Sequence, residues 1–127
     1  MNSKEKIDLA HIYKAQEVFE RFRKNLETDQ EKAGAVQAFE FCYELSWKLM
    51  KRFLELRGLE SGSPKDTFRK AFEEGIINDP EIWFEFQKKR NLSVHTYNEE
   101  NLDIIIESFD TFSAELADLL IKIKSLI

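Results

Sequence analysis

Leu102, Ile105, Phe109, Phe112, Leu116, Leu119, Ile123 and Leu126 follow one another in alternating steps of three and four. That spacing lays one apolar seam along a single side of a helix, heptad-like and held over more than three repeats. Ile106, Ala117, Leu120 and Ile121 widen it. The spacing predicts a last helix over about Glu99 to Leu126. An apolar strip that long cannot face water, so other helices have to cover it.

The rest of the chain supplies them. Ile12, Ala15, Phe19, Phe22 and Leu26 mark one face of a first helix, from about Ser3 to Leu26. After the turn Thr28-Asp29-Gln30, with Asp29 as the expected N-cap, a second helix runs from about Gln30 to Arg57. It carries two stripes: Val36, Phe39, Tyr43, Met50 and Phe53, and Ala38, Cys42, Leu45, Leu49 and Leu56. A helix apolar on two sides is covered on two sides. Gly58 is its stop. Ser63-Pro64 with Asp66 starts a short third helix that ends at Gly75. Asp79-Pro80-Glu81 repeats the start signal for a fourth, bearing Trp83 and Phe86 and reaching toward Arg90. The expectation is an all-α fold, an antiparallel bundle of about five helices. Four form an up-and-down core and the short third is an insert, in one domain over 1–127. Eleven Phe, two Trp and three Tyr can fill that core, and only four Gly and two Pro interrupt it.

Charge and cysteine narrow the function classes. A net charge of −5 argues against a general nucleic-acid binder, though not against a small basic site on an acidic body. One cysteine, Cys42, can form no intrachain disulfide, which fits a reduced, cytoplasmic setting. The start, Met1-Asn2-Ser3-Lys4-Glu5-Lys6, leads into an amphipathic segment rather than an apolar signal region. No apolar run is long enough for a membrane span. Two widely spaced His and one Cys give no zinc signature, and no cofactor or metal is expected. The chain has no Gly-rich phosphate loop and no Gly-Ser followed by an Asp-x-Asp pair, so it cannot itself carry two-metal nucleotidyl transfer.

The chemistry concentrates in Arg90-Asn91-Leu92-Ser93-Val94-His95-Thr96-Tyr97. It sets a guanidinium, an amide, an imidazole and a phenol within eight residues. On an unbroken helix, at roughly 100° per residue, Arg90 and His95 would stand about 140° apart and could not easily face one ligand. The helix is therefore expected to end between them. Val94 and Thr96 are β-branched and alternate with His95 and Tyr97, so an extended link would point His95 and Tyr97 the same way. Asn98 would cap the last helix. Plainer roles stand beside this one. His95 could bond a carbonyl, Arg90 could pair with Glu99 or Glu100, and Tyr97 could be a core aromatic. Glu40 and Glu44 form an acidic pair one turn apart on the second helix. They read as surface charge, with a bond to Arg90 as a lesser option. Lys48, Lys51 and Arg52 read as a solvated face, and His11 as structural or exposed.

The pattern resembles the HEPN superfamily of helical bundles. More closely, it resembles the substrate-binding-subunit family that accompanies minimal nucleotidyltransferases. Phe39-Glu40-Phe41-Cys42-Tyr43-Glu44-Leu45-Ser46-Trp47-Lys48 is similar to that family's second-helix signature. Ser63-Pro64-Lys65-Asp66 with Ala71-Phe72 is similar to its loop and third helix, and Trp83 stands before the motif. The likeness covers roughly Phe39 to Tyr97. The HEPN ribonuclease motif is an Arg, a polar residue, then a His after four to six intervening positions. Arg90, Asn91 and His95 match it with four. In a toxin branch, the Tyr two residues after the His is modified by the partner nucleotidyltransferase, and Tyr97 holds that position.

The resemblance implies a substrate- or nucleotide-binding subunit paired with a separate nucleotidyltransferase chain, in toxin–antitoxin fashion. Arg90, His95 and Lys89 would hold phosphate. It also implies an alternative, a metal-independent ribonuclease using Arg90, His95 and Asn91 at a homodimer interface on RNA. Excess apolar surface on the second and last helices points to a homodimer as well. The remaining reading is a helical interaction module in which the motif only fixes a turn.

Overall fold

Thr28 opens the element around which the others are arranged. The structure, a computed structural model, describes residues 7–127. Thr28 is extended at φ −104° and ψ 158°, and its hydroxyl accepts the Glu31 backbone N–H at 3.1 Å. The Glu31 carboxylate accepts the Thr28 N–H in return at 2.9 Å. This capping box makes Thr28 the N-cap, not Asp29, which becomes the first helical residue. The signal Thr28-x-x-Glu31 is readable, but Asp29 competes with it as an equally good cap type. Replacing Thr28 by Ala is expected to cost about 1 kcal/mol, checked by urea unfolding with an unchanged m-value.

Six helices follow in order: α1 (Ala10–Phe22), α2 (Asp29–Leu56), α3 (Pro64–Glu73), α4 (Pro80–Leu92), α5 (Glu99–Ile106) and α6 (Phe109–Leu126), with a 3-10 turn at Ser93–His95. Among the described residues there is no strand. Ser63 and Asp79 cap α3 and α4 ahead of a proline, as expected. Gly58 and Gly75, at φ 77° and 80°, stop α2 and α3 in the left-handed region that a side chain would strain. The expected beginning of the first helix, Ser3 to Lys6, lies outside the described residues. The helix itself ends at Phe22, short of Leu26, where Arg23 serves as its C-cap.

The expected single last helix is two. Ser108 places both its backbone N–H, at 3.1 Å, and its hydroxyl, at 2.7 Å, on the Ile105 carbonyl. That tightens the backbone at Glu107–Ser108 and interrupts the regular ladder, as serine back-bonding does. The seam stays in phase across the break, because Leu102, Ile105, Phe109, Phe112, Leu116, Leu119 and Ile123 are all buried. It loses cover after that. Leu126 is exposed, and Ile121, expected to widen the seam, is 69% exposed. Phe22, placed in the first stripe, is likewise exposed at the end of its helix.

Side-chain pairs give the directions. Phe19 meets Phe112 and Phe109, and the C-cap Arg23 binds Asp110 at 2.6 Å, so α1 runs against α6. Asn78, just before α4, bonds Glu115 and Asp118, while Phe86 meets Phe112, so α4 also runs against α6. Helix α2 packs on α1, α3, α4, α5 and α6, which is why it needs two apolar stripes. The bundle is therefore as expected in class, with one more helix than counted from the sequence.

Candidate functional site

Arg90 lies in the last turn of α4, and Asn91 and Leu92 continue that helix. The Ser93 hydroxyl folds back onto the Arg90 carbonyl at 2.5 Å, and the Ser93 N–H reaches the Lys89 and Arg90 carbonyls. These bonds satisfy helix-end acceptors and start the 3-10 turn that ends at His95. The expected extended link between Arg90 and Tyr97 is therefore absent. Serine caps the helix end locally, and that outweighs the strand preference of Val94 and Thr96.

His95 and Tyr97 nonetheless come together. The Tyr97 hydroxyl sits 3.3 Å from His95 Nδ1, and the rings meet edge-on at 5.7 Å. The His95 carbonyl accepts the Asn101 side-chain amide at 2.7 Å, which pins the turn to α5. Asn98 caps α5 through the Glu100 N–H, as expected. Tyr97 is 85% exposed, so it is no core aromatic, and His95 is exposed as well. With Nδ1 facing the phenol, the outer nitrogen of the imidazole is the one left to meet a ligand.

Arg90 is held from another direction. Its Nε lies 3.3 Å from Glu44 Oε1 on α2, an ion pair rather than a well-aligned hydrogen bond. The other carboxylate oxygen, Oε2, accepts the Trp47 indole N–H at 3.1 Å. Glu99 and Glu100, candidates for Arg90 from the sequence, do not pair with it. Beneath this group the Tyr43 phenol is buried. Burial first, then the Glu44 carboxylate, push its pKa above the ordinary range, and the Arg90 cation pulls the other way.

Among the described residues, no hydrogen bond or ion pair joins Arg90 to His95. A helix that runs through Leu92 and then tightens turns roughly 100° and then roughly 120° per residue, so the backbone aims the two side chains to different sides. Asn91 is exposed and Lys89 half-buried beside them. Sequence reasoning missed Trp47. Its signal was the spacing Glu44-x-x-Trp47, which puts both on one helix face, next to the aromatic stripe that hid it.

Other constellations fall away. Lys51 lies 6.0 Å over the Trp47 ring and Arg52 pairs with Glu55 at 3.6 Å, so that face is built into local contacts rather than into a cluster. Cys42 is fully buried, and burial pushes its thiol up to about 12, which makes it no nucleophile at neutral pH. No group of three His, Cys, Asp or Glu capable of holding a metal ion occurs among the described residues. No helix there is long and apolar enough to cross a membrane.

Comparison with known proteins adds independent evidence. The family described as nucleotidyltransferase substrate binding protein like matches residues 8–125. A Haemophilus influenzae protein named probable ribonuclease HepT is 36% identical over 97 residues, spanning 72% of this chain and 66% of its own length, just under two thirds. A solved structure from Haemophilus influenzae, described as the fold of a substrate binding domain of a nucleotidyltransferase, superimposes with a TM-score of 0.83 at 30% identity. It covers 92% of this chain and 99% of that one. A crystal structure of a Thermus thermophilus protein gives 0.80 at 30% identity, over 87% and 97% of the two chains.

Proposed function

This chain belongs to the nucleotidyltransferase substrate binding protein like family, and we propose that it is the phosphate-recognising subunit of a pair whose other member is a separate minimal nucleotidyltransferase. The observation that carries this is the exposed His95–Tyr97 couple set one turn beyond an anchored arginine. Arg90 offers a planar cationic fork suited to two phosphate oxygens, and Lys89 adds charge beside it. His95 adds an imidazole whose ring nitrogens can bond a phosphate oxygen or a hydroxyl. The sequence has no Gly-Ser followed by an Asp-x-Asp pair to hold two metal ions, so nucleotidyl transfer is assigned to the other protein.

We infer that the two stand in a toxin–antitoxin relation in the cytoplasm, and the exposure of Tyr97 supports the toxin–antitoxin part of that reading. A phenol exposed at 85% beside His95 is open to a modifying enzyme. Nucleotidylation there would set a phosphate against His95 and mask it. Co-expression with the cognate nucleotidyltransferase followed by peptide mass spectrometry is expected to find Tyr97 modified. Only unmodified Tyr97 peptide, with the partner shown to be active, overturns this part.

A second reading is favoured by the free outer nitrogen of His95: metal-independent cleavage of RNA. His95 would take the proton of a 2′-hydroxyl, and the 2′ oxygen would attack the neighbouring phosphorus. The bond to the 5′ oxygen would break, and that oxygen would receive a proton. Arg90 would stabilise the charge gathering on the phosphate and Asn91 would orient it. One imidazole cannot easily serve both sides of phosphorus. Arg90 and His95 also point to different sides of one chain, so a two-fold dimer would supply the second imidazole. Light scattering at micromolar concentration is expected to give twice the monomer mass, and a monomer counts against this arrangement.

A further inference from the structure

A guanidinium on a flexible stem recognises phosphate well only if its orientation is fixed beforehand. Arg90 has such a fixture. Its Nε atom is buried, yet its side chain as a whole keeps 28% of its exposure. The exposed part is therefore not the Nε edge, which faces Glu44. Glu44 is itself fixed, because Trp47 donates to its second oxygen at 3.1 Å and both residues belong to the middle of the long helix α2. Neither Glu44 oxygen is left to wander: one faces Arg90, the other the indole.

Building on the phosphate-site reading, we propose that Glu44, clamped by Trp47, is the positioning residue that presents Arg90 to a ligand phosphate. Glu44 occupies the Nε edge and leaves the two terminal nitrogens as the fork. It does not touch the ligand. Its negative charge opposes the incoming phosphate, so its contribution is orientation, and the two effects have opposite signs. That opposition is what makes the proposal testable. A carboxylate that merely repels would raise affinity when removed, whereas a positioning carboxylate lowers it.

The experiment measures binding of a short fluorescein-labelled single-stranded RNA by anisotropy, in EDTA, for the full chain. The variants are Glu44→Ala, Glu44→Gln, Trp47→Phe, Arg90→Ala and the double variant of Glu44→Ala with Arg90→Ala. Glu44→Ala is expected to weaken binding about tenfold, the scale of one charge-assisted contact. Glu44→Gln has one acceptor oxygen for two N–H donors, so with that oxygen on Arg90 its NH2 faces the Trp47 N–H and the clamp is lost; it is expected to fall between the parent and Glu44→Ala. Trp47→Phe, which loses the same clamp, should fall in the same range. The double variant should bind no worse than Arg90→Ala alone, because Glu44 acts only through Arg90. If Arg90→Ala weakens binding but Glu44→Ala binds as the parent or tighter, the positioning proposal is overturned and the phosphate site stands. If Arg90→Ala itself binds like the parent, the phosphate-site reading fails, and this proposal with it. Should Glu44→Ala unfold, Trp47→Phe decides: weaker binding than the parent supports the proposal, and binding as the parent or tighter overturns it.

Discussion

Replacing His95 by Ala is expected to leave the bundle folded and to lower any RNA cleavage at least about a hundredfold, the lower end of what a general acid–base group contributes. The reason lies in how little the fold asks of this imidazole. Its side chain is exposed and meets Tyr97, while the contacts that pin the turn use the His95 backbone carbonyl, which alanine keeps. Arg90→Lys is the companion variant. Lysine keeps the charge but has a single cationic nitrogen, and Glu44 already stands 3.3 Å from the residue it replaces. A lysine there would spend its one charge on Glu44 and present no fork, so phosphate or RNA binding should fall without unfolding. The measurement is RNA cleavage and binding by purified protein in EDTA, with thermal melts of each variant alongside. Weaker binding in both variants, with no cleavage by the parent, would retain the binding subunit and discard the ribonuclease. Parent-like binding in both would leave the plain helical module as the better account.

The scaffold was legible because its signals are local and repeated. Steps of three and four along Leu102–Ile123, and Ser63 and Asp79 ahead of prolines, each state a helix or its beginning without reference to the rest of the chain. What was not legible depended on competition between local options. Thr28 and Asp29 are both good caps, and only the reciprocal bond to Glu31 selects Thr28. Ser108 looked like an ordinary helix residue until its hydroxyl took the Ile105 carbonyl. Ser93 did the same at the motif and turned an expected extended link into a tight helical turn. In both places a serine hydroxyl decided the backbone, and a periodicity count does not see hydroxyls. The Glu44–Arg90 contact joins residues on different helices, so no spacing rule could select it over Glu99 or Glu100.

Replacing Phe112 by Ala should cost about 3–5 kcal/mol, the range for removing a fully buried aromatic ring. The position explains why the upper part of that range is expected. Phe112 is fully buried, and four rings surround it: Phe39 at 4.8 Å, Phe86 at 5.0 Å, Phe19 at 5.4 Å and Trp83 at 6.0 Å. These four come from α2, α4, α1 and α4, so one side chain of α6 joins the other three long helices of the bundle. All four contacts are edge-on, the geometry that adds about 0.5–1.5 kcal/mol per pair beyond burial. The rings around the vacancy are rigid and anchored on separate helices, so they collapse poorly into the space that alanine leaves. Against a total stability of about 5–15 kcal/mol, such a loss shifts the melting temperature by roughly 10–20 °C. Phe41 is the control. It belongs to the same helix as Phe39 but is 60% exposed, so Phe41→Ala should stay within about 0.5 kcal/mol of the parent. Chemical denaturation of both variants checks the pair. Equal, small losses would mean that the aromatic cluster is not what binds α6 to the bundle, and that the seam along Leu102–Ile123 carries the fold without it.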